Sequence, residues 1–287
     1  CRGVFFHYDH ALQNFPFREF FAQGLRRGEL RLWTHDMFCG FPLFAESQGN
    51  AVYPPFVALF LLLPSWVAYN YYTALHFLLA GVGAYALGRV MHLRRPGALV
   101  AGLVYMLSGP LLFHSHHTNI VVGIAWLPVL LLLLEVIFRR PTVLRLMLFA
   151  AASAALALGA QPQYTIYNAL VCGLFVLWRL AGVVLHDEDG KRAKRLVGAL
   201  AAAGLLAVLL AAVQVLPLME LVGHSSRSVG GQALLSPTAP GNLMTVFLPR
   251  YFGAPGLASY WGCRADGIYT EVTLFLGVAP LLLAAVG

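Results

Sequence analysis

Charge is what this chain has least of. Only 11% of its 287 residues are Asp, Glu, Lys or Arg, against roughly 25% in a soluble domain. Lysine is nearly absent: Lys191 and Lys194 stand alone among 19 basic residues, an arginine bias that fits a GC-rich bacterial genome. Cysteine is scarce at four. Cys172 lies in an apolar run, and the polar-segment pair Cys39 and Cys263 reads as chance leftovers rather than a disulfide framework. No solenoid repeat or low-complexity tract is present. A mean hydropathy of +0.73 with 59% hydrophobic residues excludes a soluble globular domain.

What the chain does have is apolar length. A run of about 20 apolar residues crosses a bilayer core, and the pattern predicts seven spans, near 67–90, 98–113, 120–138, 143–159, 164–182, 197–219 and 271–287. The loops after the first, third and fifth carry Arg89, Arg94 and Arg95; Arg139, Arg140 and Arg145; and Arg179, Lys191, Arg192, Lys194 and Arg195. The intervening loops His114–Asn119 and Gly159–Gln163 carry neither Lys nor Arg. Basic loops stay in the cytoplasm, so the others face outside. The formal net charge of +7 is thereby explained by helix orientation and contact with anionic lipid headgroups, not by nucleic acid. Opening in mid-loop and stopping inside an apolar run, the sequence reads as a piece lacking a helix before residue 1 and more after 287.

Residues 1–65 form a large first external loop, and 66–287 a bundle with a second external loop at 223–270. In the first loop, Leu12, Phe15, Phe17, Phe20, Phe21 and Leu25 interleave with Arg18, Glu19, Gln23, Arg26 and Arg27. That pattern predicts a helix lying in the membrane interface with its apolar side down. Phe56–Leu63 is too short to cross and predicts a re-entrant or interfacial helix.

Asp9, Glu19, Glu29, Asp36, Glu46, Glu220, Asp266 and Glu271 all fall outside or at the outer edge, whereas Asp187, Glu188 and Asp189 are inside, with Glu135 near the inner end of its span. Ionisable groups near lipid are expensive to keep, so this crowding of carboxylates at one face marks a site or a merely wet loop. The D-x-D at Asp187–Asp189 sits in a short basic hairpin with no domain around it, a chance match. His114, His116 and His117 have no standard zinc spacing and read as a polar loop lining a cleft. Asn70 and His76, inside the first span, are either functional or interhelical hydrogen bonders.

The polar residues fall in a recognisable order. Asp9, Gln13 and Pro16 make D-x-x-x-Q-x-x-P; Gly40, Pro42, Ala45, Gln48 and Tyr53-Pro54-Pro55 follow. Then come His117 and Asn119 with Trp126 and Pro128, next Gly159, Gln161 and Gln163 with Tyr167, then Gln214, Pro217, Glu220 and Arg227. Pro249, Phe252-Gly253, Tyr260-Trp261-Gly262 and Glu271 complete it. This succession resembles the bacterial YfhO-like membrane proteins of the GT-C glycosyltransferase class, over nearly the whole chain. Gln161 stands where such proteins often carry His.

The resemblance implies an all-α, polytopic GT-C-like fold in the bacterial cytoplasmic membrane. It also implies transfer of a sugar from a polyprenyl-phosphate donor to a cell-envelope glycan or polymer acceptor on the external face. Asp9 matches the acid that class uses to take the acceptor proton. Its alternative is a helix cap, with Asp36 and Glu46 as substitutes. Gln13, Glu46, Gln48, His117, Asn119, Gln161 and Gln163 are candidates for substrate binding. Arg227 and Arg250 are the external arginines suited to a lipid phosphate. Glu220, His224 and Arg227 share one face if the helix continues that far, with a Glu220–Arg227 ion pair as the other reading. Glu271 is a candidate ligand or a helix-start residue. No metal site is assigned, and divalent-metal dependence stays open. The competing classes are a transporter or flippase for lipid-linked saccharides, which calls for broken helices in matched halves, and a non-catalytic assembly partner. A reporter fused after Arg95 or Arg140 should prove cytoplasmic and one inside His114–Asn119 external; the reverse at either site would overturn the sidedness.

Overall fold

The computed structural model of the chain describes residues 9–185, 190–225, 240–248, 250–253, 275 and 280. Every regular element among them is helical, and the only strand-like pairing is the isolated bridge between Thr34 and Phe41. Three short helices come first: α1 (Phe15–Arg26), entered through a π turn at His10–Asn14, α2 (Leu43–Glu46) and α3 (Pro54–Leu62). Long ones follow: α4 (Ser65–Val90), α5 (Arg95–Met106) with the short α6 (Gly109–Phe113), α7 (Thr118–Arg139), α8 (Val143–Gly159), α9 (Pro162–Val184) and α10 (Lys191–Gly223).

Five segments are long and apolar enough to cross a membrane: Ser65–Val90, Arg95–Phe113, Thr118–Arg139, Pro162–Val184 and Lys191–Gly223. The fourth expected span, α8, has 17 residues and is a shorter apolar helix. The expected span at 271–287 lies outside the described residues apart from Phe275 and Pro280. The span expected at 98–113 is interrupted. The helix pauses at Leu107–Ser108 before Gly109-Pro110 restarts it as α6, because the ring of Pro110 cannot continue an unbroken hydrogen-bond ladder.

Local signals explain the boundaries. Proline opens α3, α5 and α9 at a position where its missing N–H costs nothing. At the start of α8 the Thr142 hydroxyl accepts from the Arg145 backbone N–H, a side-chain cap. Small residues then let helices approach closely. A Cβ on Gly102 would lie 2.7 Å from the Gly81 carbonyl oxygen of α4, and one on Gly123 would lie 2.6 Å from Cβ of Tyr164 on α9. Leucines such as Leu174, Leu205 and Leu209 stay exposed on α9 and α10, the expected state of a lipid-facing surface.

Helix α1 corrects one reading. Its buried residues are Phe17, Arg18, Phe21, Ala22 and Gly24, so Arg18 belongs to the buried side rather than the polar one. Phe17 and Phe21 join Tyr53, Phe56, Phe60, Tyr69 and Tyr72 in a core that α1 and α3 build against α4, α7 and α8. At the opposite ends of these helices, buried Glu135 accepts from Arg139 Nε at 2.9 Å and faces Arg179 Nε at 3.3 Å. Charge at that end is neutralised within the arginine-rich loops and next to them. His76, buried in α4, has Nε2 2.7 Å from the Tyr53 hydroxyl and Nδ1 2.7 Å from the Tyr72 carbonyl oxygen. It ties α3 to α4 rather than standing free.

Candidate functional site

The segment before α4 delivers its polar residues to one end of the bundle through two turns. Ser47 and Asn50 adopt left-handed backbone, with φ of 72° and 58°. Asparagine tolerates that region better than most residues. The resulting loop after α2 swings Gln48 and Asn50 against the start of α7 and the end of α8. Asn119 Nδ2 donates to the Gln48 carbonyl at 3.0 Å, and Asn50 Nδ2 donates to the Gly159 carbonyl at 2.8 Å. A Cβ on Gly159 would sit 2.9 Å from the Tyr53 ring, so only glycine allows this approach.

At the centre is Arg18, 0% exposed. Nη1 donates to the Asn14 carbonyl and side-chain oxygens at 3.1 and 3.0 Å; Nη2 donates to Asn119 Oδ1 at 2.7 Å and to Asn50 Oδ1. Its guanidinium carbon lies 4.8 Å from the centre of the Tyr72 ring and 5.8 Å from that of Tyr69, within cation–π range. Among the described residues no carboxylate pairs with it. The charge is held by amide dipoles and ring faces alone. Arginine has no acceptor, so it compels all three asparagines to point their oxygens inward. Their N–H groups must then turn outward, and Asn14 uses its own to hold the Asp9 and His116 carbonyls, at 3.1 and 3.0 Å.

Around this hub lies a cavity of about 230 Å³, lined by Asp9, Gln13, Asn14, Gln48, His117, Asn119, Ile120 and Gln161. Asp9 Oδ2 is 2.9 Å from His117 Nε2, with both side chains partly open to solvent. The Asp9 side chain caps no helix: it heads the π turn without a capping hydrogen bond, and its carboxylate faces the imidazole. His117 stacks against His116, their ring centres 4.0 Å apart. No group of three His, Cys, Asp or Glu among the described residues is arranged to hold a metal ion.

Glu46 stands one step behind. Its carboxyl accepts from the backbone and side-chain N–H groups of Gln48, and Gln13 Nε2 donates to Gln48 Oε1 at 2.9 Å. Burial pushes the Glu46 carboxyl up to about 7, against the opposing pull of the Gln48 hydrogen bonds and the Arg18 charge. Burial also raises the Tyr53 hydroxyl, whose oxygen receives the Trp126 Nε1 hydrogen bond at 2.9 Å.

Asp9, Gln13, Gln48, His117, Asn119 and Gln161 therefore converge, with Glu46 adjoining them. Gln163 is exposed and donates to the Tyr167 hydroxyl, away from the cavity. Glu220 is exposed on the last turn of α10, and Arg250 is exposed in a turn; neither lines the cavity. Helix α10 ends at Gly223, so the helical spacing from Glu220 stops short of Arg227. Arg227 and Glu271 lie outside the described residues. Asp36 is exposed in the loop before α2. Sequence reasoning missed Asn14, Arg18 and Asn50. The available signal was an arginine set between Phe17 and Phe21 on the apolar side of a helix, where a charge requires partners.

The chain matches no protein-family model, no curated protein and no solved structure.

Two outcomes are expected here. Arg18→Met leaves Asn119 Oδ1 without its donor and Asn14 and Asn50 with only the Thr118 and Tyr72 hydroxyls, and should destabilise the protein by about 3 kcal/mol; Arg18→Lys keeps the charge but not the fork and should recover only part of it. Thermal unfolding in lipid nanodiscs reads both. The raised Glu46 value means the folded state holds a proton that the unfolded chain releases near its ordinary value of 4.5. Its contribution to stability is full below pH 4.5 and fades as pH rises to about 7. Glu46→Gln should flatten the dependence of the unfolding midpoint on pH across that window; an unchanged slope would refute the buried-acid reading.

Proposed function

We propose that this chain is the donor- and acceptor-handling part of a membrane glycosyltransferase of the GT-C class, acting at the outer end of its helix bundle. The observation that carries the reading is the Asp9–His117 pair at 2.9 Å, opening into a polar cavity over apolar helices. An acceptor hydroxyl is a weak nucleophile, and a carboxylate within hydrogen-bond reach raises its reactivity by taking its proton. In the proposed step the acceptor oxygen forms a bond to the anomeric carbon, and the bond from that carbon to the carrier phosphate breaks. The proton passes to Asp9, and the electron pair leaves with the polyprenyl phosphate.

His117 serves as the orienting partner. With Nε2 protonated it donates to Asp9 Oδ2, leaving Oδ1 for the acceptor. Asn14 and Arg18 hold the backbone at Asp9 in place from behind, so a positional error there would misplace the base. The external face, the bacterial cytoplasmic membrane and the likeness to YfhO-like proteins belong to the same proposal. Its support is the charge sorting of the loops and the clustering of six motif residues on one cavity.

Asp9→Asn tests it directly. The amide keeps size and hydrogen-bonding reach but accepts no proton at neutral pH. Turnover with a polyprenyl-phosphate sugar should fall by roughly 100-fold or more while expression and donor binding hold. A fully active Asp9→Asn protein would remove Asp9 from the chemistry and shift attention to Glu46.

A further inference from the structure

Most hydrogen-bonding groups around the cavity are already committed to each other, and those left open have a common polarity. Arg18 fixes the oxygens of Asn14 and Asn119, and their N–H groups go to backbone carbonyls. The Glu46 carboxyl draws Gln48 Nε2, which leaves Gln48 Oε1 to accept from Gln13 Nε2. Along that relay each amide is oriented by the one before it, and the end of the relay presents Gln13 Oε1 to the cavity. Asp9 uses Oδ2 on His117 and keeps Oδ1 open. The Gln161 side chain caps nothing at the head of α9 and has no hydrogen-bond partner among the described residues. The open set is thus two acceptors, Gln13 Oε1 and Asp9 Oδ1, the second N–H of Gln13 Nε2, and one amide free to turn either way.

An acceptor-rich wall suits a ligand that brings donors. Hydroxyl groups do so, and the adaptable Gln161 amide can serve a hydroxyl as donor or acceptor. A carboxylate or phosphate brings only acceptors. It would face Asp9 Oδ1 and Gln13 Oε1 with nothing to donate, and no Lys or Arg lines the cavity among the described residues. The Arg18 charge lies just behind the wall, yet its Nη1 and Nη2 groups bond the asparagines. It balances Asp9 electrostatically without contacting a ligand. At 230 Å³ the space falls below the roughly 300–1,000 Å³ of drug-sized sites, and admits one small ring.

From the polarity and size of this wall we infer that the cavity is a subsite for a single uncharged, hydroxyl-rich sugar ring, with the carrier phosphate held outside it. The inference rests on the glycosyltransferase reading for its biological use, but the binding itself does not require that the chain catalyse anything. Gln13 and Gln161 are its specificity-determining residues, and Asp9 contributes Oδ1.

The test is saturation-transfer NMR on the full chain in nanodiscs, with glucose, glucuronate and protonated glucosamine as probes. Glucose should bind about tenfold more tightly than glucuronate, the scale of one or two lost hydrogen bonds, and at least as well as glucosamine. Gln161→Leu should cut glucose binding by about tenfold with an unchanged unfolding midpoint. Tighter binding of glucuronate or glucosamine, absence of glucose binding, or full glucose binding in Gln161→Leu would each overturn the inference. Displacement of glucose by a lipid-linked sugar but not by sugar-free polyprenyl phosphate assigns the ring to the donor; displacement by neither assigns it to the acceptor. A chain that binds glucose yet transfers no sugar retains the subsite and loses the enzymatic reading. One that transfers uronic acids from their lipid carrier loses the subsite and retains the enzyme.

Discussion

A guanidinium shut away from water, with no carboxylate paired to it among the described residues, is the constraint on which this end of the molecule depends. Burying an ion costs several kcal/mol unless polar groups replace its hydration. Here the replacement comes from four separate places in the chain: Asn14 on the approach to α1, Asn50 after α2, Tyr69 and Tyr72 on α4, and Asn119 on α7. None of these segments can shift without exposing or stranding the charge. Arg18 thus adds a polar clamp to the aromatic core through which this segment of short helices already packs on the bundle. Choosing amides rather than an acid has a second effect. A carboxylate would end the network at the ion pair, whereas each asparagine passes a hydrogen bond onward, to Asp9, His116, Gln48 and Gly159.

The two ends of the bundle handle charge in opposite ways. Toward the arginine-rich loops, Glu135 is neutralised in contact with Arg139 and Arg179, and Arg145 and Arg192 donate to helix-end carbonyls at 2.7 and 3.0 Å. These interactions anchor helix ends to one another. At the other end the polar groups are satisfied only in part, and Asp9, Gln13 and Gln161 keep open valences toward a cavity. A membrane protein that retains unsatisfied polar groups at its surface does so against a gradient of solvation cost, so this asymmetry separates scaffolding from site without reference to any relative.

Much of the helical plan was legible because it rests on one-dimensional signals. Apolar run length set the spans at α4, α7 and α9 to within a few residues and located that of α10, whose charged first turns lie before the apolar run. The break at Leu107–Ser108 was hidden because a proline inside an apolar run can kink a helix or restart it, and hydropathy does not distinguish the two. At the site, Asp9, Gln13, Gln48, His117, Asn119 and Gln161 stood out through an order of polar motifs that resembles one family. Arg18 and Asn50 did not. Their significance comes from partners 101 and 109 residues away, and no local pattern encodes such a meeting. Arg18 also carried a misleading local cue, since interleaving with phenylalanines matches an interfacial helix equally well. The reach of Glu220 toward Arg227 failed on a boundary, because α10 stops at Gly223.

The shortness of α8 has a consequence for the loop fastened to its end. Seventeen residues rise about 26 Å at 1.5 Å each, less than the roughly 30 Å hydrocarbon thickness. Its last residue, Gly159, is also where Asn50 anchors the outer loop. The loop that carries Asn50 is thus fastened to the end of a helix shorter than its long neighbours α4, α7, α9 and α10. Lengthening α8 by one turn would therefore move the Gly159 anchor by about 5 Å and part Asn50 from the Arg18 guanidinium that it helps to hold.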